Sequence, residues 1–179
     1  MAQKKPRKRQ PSWTRALLWI ALIVYLLVLF KVILFKFDHD TIINILNDTD
    51  ELAYTRVNLV PFQTIRFYLF SGRVSDAVAV RNLLGNIVAF MPLGILIPFL
   101  RRDISFGTTF LVGFALSAII EVTQFVTGLG SCDIDDIILN VFGAVSITLI
   151  LCVLDIVAFF LKICAKIIAK SIDKTRRRV

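Results

Sequence analysis

The sequence has very few of the residues that build metal sites and disulfide frameworks. His39 is the only histidine, and the cysteines are Cys132, Cys152 and Cys164, with no Cys-x-x-Cys pair among them. Protein zinc sites are built mainly from histidine and cysteine, and disulfides need cysteines placed to meet. We therefore expect neither a metal site nor disulfides. The chain also lacks an internal repeat, so a transporter built from repeated halves has no support.

Long apolar runs are the main feature that is present. Hydrophobic residues make up 57% of the 179 residues, whereas roughly 45–50% is usual in soluble domains. Four of the runs are each long enough to cross roughly 30 Å of hydrocarbon as an α-helix: residues 13–35, 82–100, 106–126 and 137–161. These runs predict an all-α membrane protein, built as a bundle of four transmembrane helices.

The basic residues predict how this bundle is oriented. The net charge is +8, and Lys and Arg cluster before the first run, between the second and third, and after the fourth. With four spans these three regions lie on one side, which the positive-inside rule makes cytoplasmic. We therefore expect a multi-pass protein with both termini in the cytoplasm and membrane lipids as partners. Charge distributed in this way argues against nucleic acid as a partner.

The segments outside the runs differ in composition. Residues 1–12 predict a basic cytoplasmic arm attracted to anionic lipid. Residues 162–179 predict a basic cytoplasmic tail, in which regularly spaced lysines indicate an amphipathic helix on the inner leaflet. Residues 36–81 form the extracytoplasmic loop. Within that loop, residues 57–70 are rich in aromatic side chains but too short to span, so we expect an interfacial segment on the outer face.

Polar residues interrupt the apolar runs at one depth. An ionisable group costs roughly 2.5 kcal/mol or more at the bilayer centre, so such groups usually mark function or a specific packing contact. Three spans carry polar residues near their outer ends: Asn82 and Asn86 in the second, Ser117, Glu121 and Gln124 in the third, and Asp136 and Asn140 in the fourth. We expect these side chains to converge, whereas the inner half of the bundle holds little besides Asp155.

Several of these residues have more than one plausible role. Asn86 and Asn140 could hold helices together by interhelical hydrogen bonds. Glu121 could be a protonated carboxyl group or the partner of Arg81 or Arg56.

The acidic turn before the fourth span has a simpler interpretation. Asp135 or Asp136 is placed to cap the helix that follows. We expect Asp133 to lie in a solvated turn.

Four short blocks follow one another between residues 56 and 146, about half of the chain. They are Asn58-Leu-Val-Pro-Phe62, Asn82-Leu-Leu-Gly-Asn86-Ile-Val-Ala-Phe90-Met-Pro92-Leu-Gly94, Glu121-Val-Thr-Gln124 and Asp133-Ile-Asp-Asp136-Ile-Ile-Leu-Asn140-Val-Phe-Gly143-Ala. In this order they resemble the VanZ-like family. The resemblance implies a small bacterial envelope membrane protein. The founding member is an accessory protein of glycopeptide resistance that lowers susceptibility to teicoplanin and related lipoglycopeptides.

The sequence departs from the family at one point. Many relatives carry an arginine before the acidic turn, where this chain has Gly128-Leu-Gly130-Ser131-Cys132. If that arginine pairs with the glutamate in those relatives, Glu121 needs another cation here, and Arg81 and Arg66 are the candidates.

The first functional hypothesis is a non-catalytic binder with a polar site open to the outer leaflet. Its ligand would be a lipid headgroup, a peptidoglycan precursor or the lipid tail of an antibiotic, and the acids of the turn suit a partly cationic ligand. The candidate ligand-binding residues are Asn58, Asn82, Asn86, Glu121, Gln124, Asp135, Asp136 and Asn140.

Two other hypotheses remain open. An intramembrane enzyme could use Glu121 as general acid or base, with Asp136 orienting it or holding a divalent cation. However, we find no nucleophile, histidine base or phosphate-binding loop for such chemistry. Alternatively, the polar residues could only set the packing of a structural helical bundle. No cofactor is expected, and the oligomeric state is left open.

Overall fold

The structure, a computed structural model, describes residues 11–34, 57–101 and 104–176. Most of the predicted arm at residues 1–12, the loop between residues 36 and 56, and residues 177–179 of the tail lie outside these ranges. His39 and Arg56 lie outside them as well.

Long helices dominate the described chain. The elements in order are α1 (Ser12–Leu34), β1 (Val57–Asn58), α2 (Gln63–Phe70), α3 (Asp76–Arg101), α4 (Phe106–Thr127), β2 (Cys132–Asp133) and α5 (Ile134–Arg176). Four helices, α1, α3, α4 and α5, are long and apolar enough to cross a membrane. The prediction of an all-α membrane protein with four such helices is confirmed.

Two of the long helices extend beyond the apolar runs that predicted them. α3 begins at Asp76, because the carbonyl oxygen of Ser75 accepts the N–H groups of Val78 and Ala79 at 2.9 and 3.0 Å and so starts the helix in a polar stretch. α5 continues past residue 161 to Arg176. Asp155 therefore lies inside a continuous helix, and the predicted fourth span and tail helix are not separated by a break.

All four long helices contribute to one core. It is formed by Leu22 and Leu29 of α1, Phe90 and Leu93 of α3, Ile120 of α4 and Ala144 of α5. The hydroxyl of Tyr25 donates a hydrogen bond to the carbonyl oxygen of Ala89 at 2.9 Å and thereby ties α1 to α3.

The closest helix contact is between α3 and α5, where glycines let the two backbones approach. A Cβ atom placed on Gly94 would lie 2.1 Å from the carbonyl oxygen of Ala144, and one on Gly143 would lie 2.0 Å from that of Ile87. Small residues allow such approach in membrane bundles. Gly113 of α4 packs more loosely, with a Cβ there 3.6 Å from the Cβ of Ala144.

A buried polar contact joins three helices halfway along the bundle. The hydroxyl of Thr148 lies 3.1 Å from the carbonyl oxygen of Gly94 and 3.2 Å from the hydroxyl of Thr109, and both threonines are fully buried. This contact was not predicted. A threonine hydroxyl in an apolar helix can bond a carbonyl oxygen of its own helix, so the residue type alone does not indicate a contact between helices.

The two ends of the bundle differ. At one end, β1 and β2 pair in parallel with Val57 opposite Cys132 and Asn58 opposite Asp133, and α2 lies beside them. We call this the capped end, and residues 57–71 the cap segment. The starts of α3 and α5 and the end of α4 lie at the capped end, since each adjoins the cap segment or β2 in the chain. The opposite end, where α3 finishes at Arg101, is the open end.

Candidate functional site at the capped end

The cap segment is fastened to the bundle by one aspartate. The carboxylate of Asp135, in the first turn of α5, accepts hydrogen bonds from three backbone N–H groups at the start of α2: those of Phe62, of Thr64 at 2.7 Å and of Ile65 at 3.0 Å. Asp135 is 0% exposed. A carboxylate against the free N–H groups of a helix start is favoured by both hydrogen bonding and the helix dipole. Asp135 therefore caps α2, and not its own helix.

Asp133 links three elements. Its Oδ1 atom accepts the N–H of Asp135 at 2.9 Å, which makes Asp133 the N-cap of α5. The same oxygen accepts the side-chain amide of Asn58 at 3.1 Å, and the second oxygen accepts the hydroxyl of Thr64. Asp133 is only 6% exposed. The predictions of a solvated Asp133 and of Asp135 as the cap of its own helix were both wrong.

Asn58 completes the connection within the cap segment. Its amide also donates to the hydroxyl of Thr64 at 2.9 Å, and its Oδ1 atom accepts the N–H of Val60 at 3.1 Å. This second bond closes a local turn of the kind that Asn commonly stabilises. Thr64 was not among the sequence candidates, because Asp133, the acid that its hydroxyl contacts, lies 69 residues away in the chain.

Glu121 holds the strand that precedes α5. Its Oε2 atom accepts the backbone N–H of Asp133 at 2.9 Å, and the residue is 2% exposed. The alternatives considered for Glu121 were a protonated carboxyl group and an ion pair with an arginine. Among the described residues Glu121 forms no ion pair, and Arg66 and Arg81 are both exposed, so neither arginine is its partner.

Two further polar pairs connect the long helices. Asn86 of α3 donates to the carboxylate of Asp136 on α5. Asn140 of α5 donates to the hydroxyl of Ser117 on α4 at 2.9 Å. Within the described residues the Oδ1 atom of Asn140 is buried without a hydrogen-bond partner. Both contacts have the form of interhelical hydrogen bonds, the alternative role considered for Asn86 and Asn140.

The remaining two candidates lie at the edge of this network. Asn82 donates to the carbonyl oxygen of Val78 on its own helix at 2.9 Å. The amide nitrogen of Gln124 lies 3.1 Å from the position that a Cβ on Gly130 would take, so this side chain packs on the turn between α4 and β2.

The carboxylates change the titration of two neighbouring groups outside the spans. Burial, and then the charges of Asp136 and Asp133, raise the pKa of Tyr68, so its hydroxyl stays protonated. Burial, and then the charges of Glu121 and Asp133, raise the pKa of the Cys132 thiol. The capped end is therefore electronegative inside. In the described part of the chain, no group of three or more His, Cys, Asp or Glu side chains is arranged to hold a metal ion.

The solvent-facing side of α2 has a different character. An open groove of about 420 Å³ runs along it, defined by Val60, Pro61, Phe62, Arg66, Phe67 and Phe70. We call it the α2 groove. Its aromatic side chains are exposed, Phe70 most of all at 78%. Phe62 has a φ of 66°, a left-handed conformation that a bulky residue adopts only when its surroundings impose it.

Comparison with known proteins agrees with this architecture. The family model described as VanZ/LLP1 matches residues 22–156, a range that includes most of α1 and all four motif blocks. Protein VanZ of Enterococcus faecium is 28% identical over 122 residues, which cover 68% of this chain and 65% of that protein. No solved structure matches the chain significantly. Because the family model covers well over half of its length, this chain belongs to the VanZ/LLP1 family.

Proposed function

We propose that this chain is an envelope membrane protein that lowers susceptibility to teicoplanin-type glycopeptides, and that it acts by binding a lipid-linked or lipidated ligand. The activity follows the resemblance to the VanZ-like family. The chain spans about 65% of the length of the VanZ protein to which it was compared, and the proposal concerns the part they share.

One observation carries the choice of binding over catalysis. Glu121 and Asp135, two of the acids expected to contact a ligand, and the neighbouring Asp133 are nearly fully buried and already accept hydrogen bonds from the chain itself. Asp136, the third candidate acid, is half-buried and accepts the side-chain amide of Asn86. A buried carboxylate that accepts backbone N–H groups is well placed to fix a segment in position. We therefore assign Glu121, Asp133 and Asp135 the role of positioning the cap segment, whose exposed side meets the ligand.

The orientation of the bundle belongs to the same proposal. Arg101 ends α3 at the open end, and Lys162 and Lys166 lie on the part of α5 that extends past residue 161. Basic residues near spans favour the cytoplasmic side, so the capped end faces outward, where a glycopeptide acts.

The test is teicoplanin susceptibility of a Gram-positive host that expresses the wild-type chain or a variant, at membrane abundance matched by blot. We expect the wild type to raise the tolerated concentration and Asp135→Asn to abolish the gain. Glu121→Gln keeps an acceptor oxygen for the N–H of Asp133 and should retain part of it. Asp155→Asn, an exposed acid on the same helix as Asp135, is the matched control and should behave as wild type.

The outcomes separate the hypotheses. No gain from the wild type overturns the proposed function. Complete loss with Glu121→Gln at normal abundance would favour the enzyme hypothesis, in which the Glu121 proton is needed. A loss that always tracks abundance would favour a structural bundle.

A further inference from the structure

The charges at the capped end are arranged in two layers. The carboxylates of Asp133 and Asp135 point inward and are held by hydrogen bonds to the cap segment. Arg66 is the one charged residue that lines the α2 groove, and neither aspartate is part of that lining. Arg66 is exposed and forms no ion pair among the described residues. A ligand in this groove therefore meets a single positive charge, and the acids are turned away from it.

Apart from the uncharged polar residues Gln63 and Ser71, the rest of the groove lining is apolar. Phe62, Phe67 and Phe70 are 56%, 43% and 78% exposed. A contiguous exposed apolar patch usually marks an interaction site, and aromatic side chains concentrate at the membrane–water interface. The volume of about 420 Å³ lies within the usual range of ligand sites. The matching ligand carries an anionic group beside hydrocarbon.

We propose that the α2 groove binds the phosphate headgroup of an anionic membrane lipid. The planar guanidinium of Arg66 donates paired hydrogen bonds to the phosphate oxygens, and the phenylalanines contact the first carbons of the chains. The inference deepens the proposed function, because it rests on the capped end facing the outer leaflet and names the ligand of that surface. It reverses the ligand charge expected from the sequence, where the acidic turn suggested a partly cationic ligand.

The experiment uses the purified full-length chain in phosphatidylcholine vesicles that contain a small fraction of photoactivatable phosphatidylglycerol. After illumination, cross-linked peptides are mapped by mass spectrometry. We expect cross-links in residues 60–71, and Arg66→Gln should lower their yield by roughly tenfold, the effect of losing one charge-assisted contact. Arg66→Lys should lower it less, since the charge remains.

Arg73→Gln is the matched control. Arg73 is an exposed arginine of the same outer region but does not line the groove, so its loss changes the net charge equally. Equal losses from both variants would mean general attraction to the membrane and would overturn the proposal. So would an unchanged yield in Arg66→Gln, or cross-links that map mainly outside residues 60–71. Thermal unfolding of each variant in detergent verifies that the fold is intact.

The proposal and the proposed function fail separately. Lipid cross-links that depend on Arg66, in a chain that gives no teicoplanin tolerance, would leave the lipid site standing and remove the link to resistance. Conversely, teicoplanin tolerance in a chain whose lipid cross-links do not depend on Arg66 would leave the proposed function standing and remove the lipid site.

Discussion

At the scale of single residues, the capped end depends on carboxylates that accept backbone N–H groups. Asp135 accepts three of them at the start of α2 while fully buried. Hydrogen bonds to a charged group each contribute about 1.5–3 kcal/mol. Part of this offsets the left-handed backbone of Phe62, which costs on the order of 1–3 kcal/mol. A substitution that weakens Asp135 as an acceptor is therefore expected to alter the backbone conformation of Phe62 as well.

Replacing Asp135 by asparagine should release the cap segment. Asparagine offers one neutral acceptor and turns an NH₂ group toward N–H donors, so we expect a loss of about 2–3 kcal/mol in the stability of this region. The measurement is the rate of limited proteolysis within residues 71–75, together with thermal unfolding in detergent. Asp155 lies on α5 beyond the capped end, so Asp155→Asn should leave the rate of cleavage within residues 71–75 unchanged. Equal behaviour of the two variants would contradict the role assigned to Asp135.

Cys132 reports on the charge inside the capped end. Burial raises the pKa of its thiol above the ordinary value, and the negative charges of Glu121 and Asp133 raise it further. Only the thiolate is alkylated, so in a Cys152→Ser/Cys164→Ser background the rate with iodoacetamide should rise at a higher pH than for a free cysteine. Glu121→Gln removes one of the charges and should move the profile to lower pH. A profile unmoved by this change would mean that Glu121 carries no charge near Cys132.

The residue roles at this site were only partly predictable from the sequence. Span order and helical period placed Asn86, Asn140 and Glu121 near the same ends of their helices. Each of the three forms a hydrogen bond to another element. The burial of Asp133 was not predictable, because its partners Asn58 and Thr64 lie 75 and 69 residues away. An acid in a glycine-rich turn is normally expected to be solvated. Only the structure shows that the cap segment covers Asp133.

At the scale of elements, the bundle is set by the approach of α3 to α5. Gly94 and Gly143 each face a backbone carbonyl of the other helix at a distance that no Cβ could occupy. Gly85, which lies on α3 as well, has open space around it. Residue type does not distinguish these glycines, because the side of a helix that meets a neighbour depends on how the bundle packs.

Alanine substitutions should separate these glycines. Gly94→Ala or Gly143→Ala must push α3 and α5 apart, and overpacking of this kind typically costs about 1–3 kcal/mol. Gly85→Ala is the matched control and should be neutral or stabilising by up to about 1 kcal/mol, because alanine favours helix. Thermal unfolding of each variant in the same detergent gives the comparison. Similar melting temperatures for Gly94→Ala and Gly85→Ala would contradict the close crossing.

The four long helices were predictable because hydropathy is a local property, whereas the cap segment was predicted only as an interfacial stretch. The cap segment's strand β1 pairs with β2, which is distant in sequence. The start of α2 is held by Asp135, which accepts N–H groups of α2. Neither interaction is visible in the local pattern of residues 57–70.

At the scale of the whole molecule, charge separates the two ends of the bundle. The capped end holds buried carboxylates, and the other end continues into the lysine-bearing part of α5. This asymmetry fits the positive-inside rule. It also gives each end a distinct chemical environment. In the proposed orientation, the α2 groove lies on the side that a lipid or glycopeptide reaches from outside the cell.

Thiol labelling at the two ends tests this orientation directly. Ser131 is exposed at the capped end, and Cys164 is exposed on α5 beyond the core. In a Cys132→Ser/Cys152→Ser background, a membrane-impermeant maleimide should label Ser131→Cys in intact cells. Cys164 should react only after the cells are permeabilised, and this second step verifies that its thiol is reactive. The opposite pattern would place the α2 groove in the cytoplasm, where it could meet neither a glycopeptide nor an outer-leaflet lipid, and both proposals would fall together.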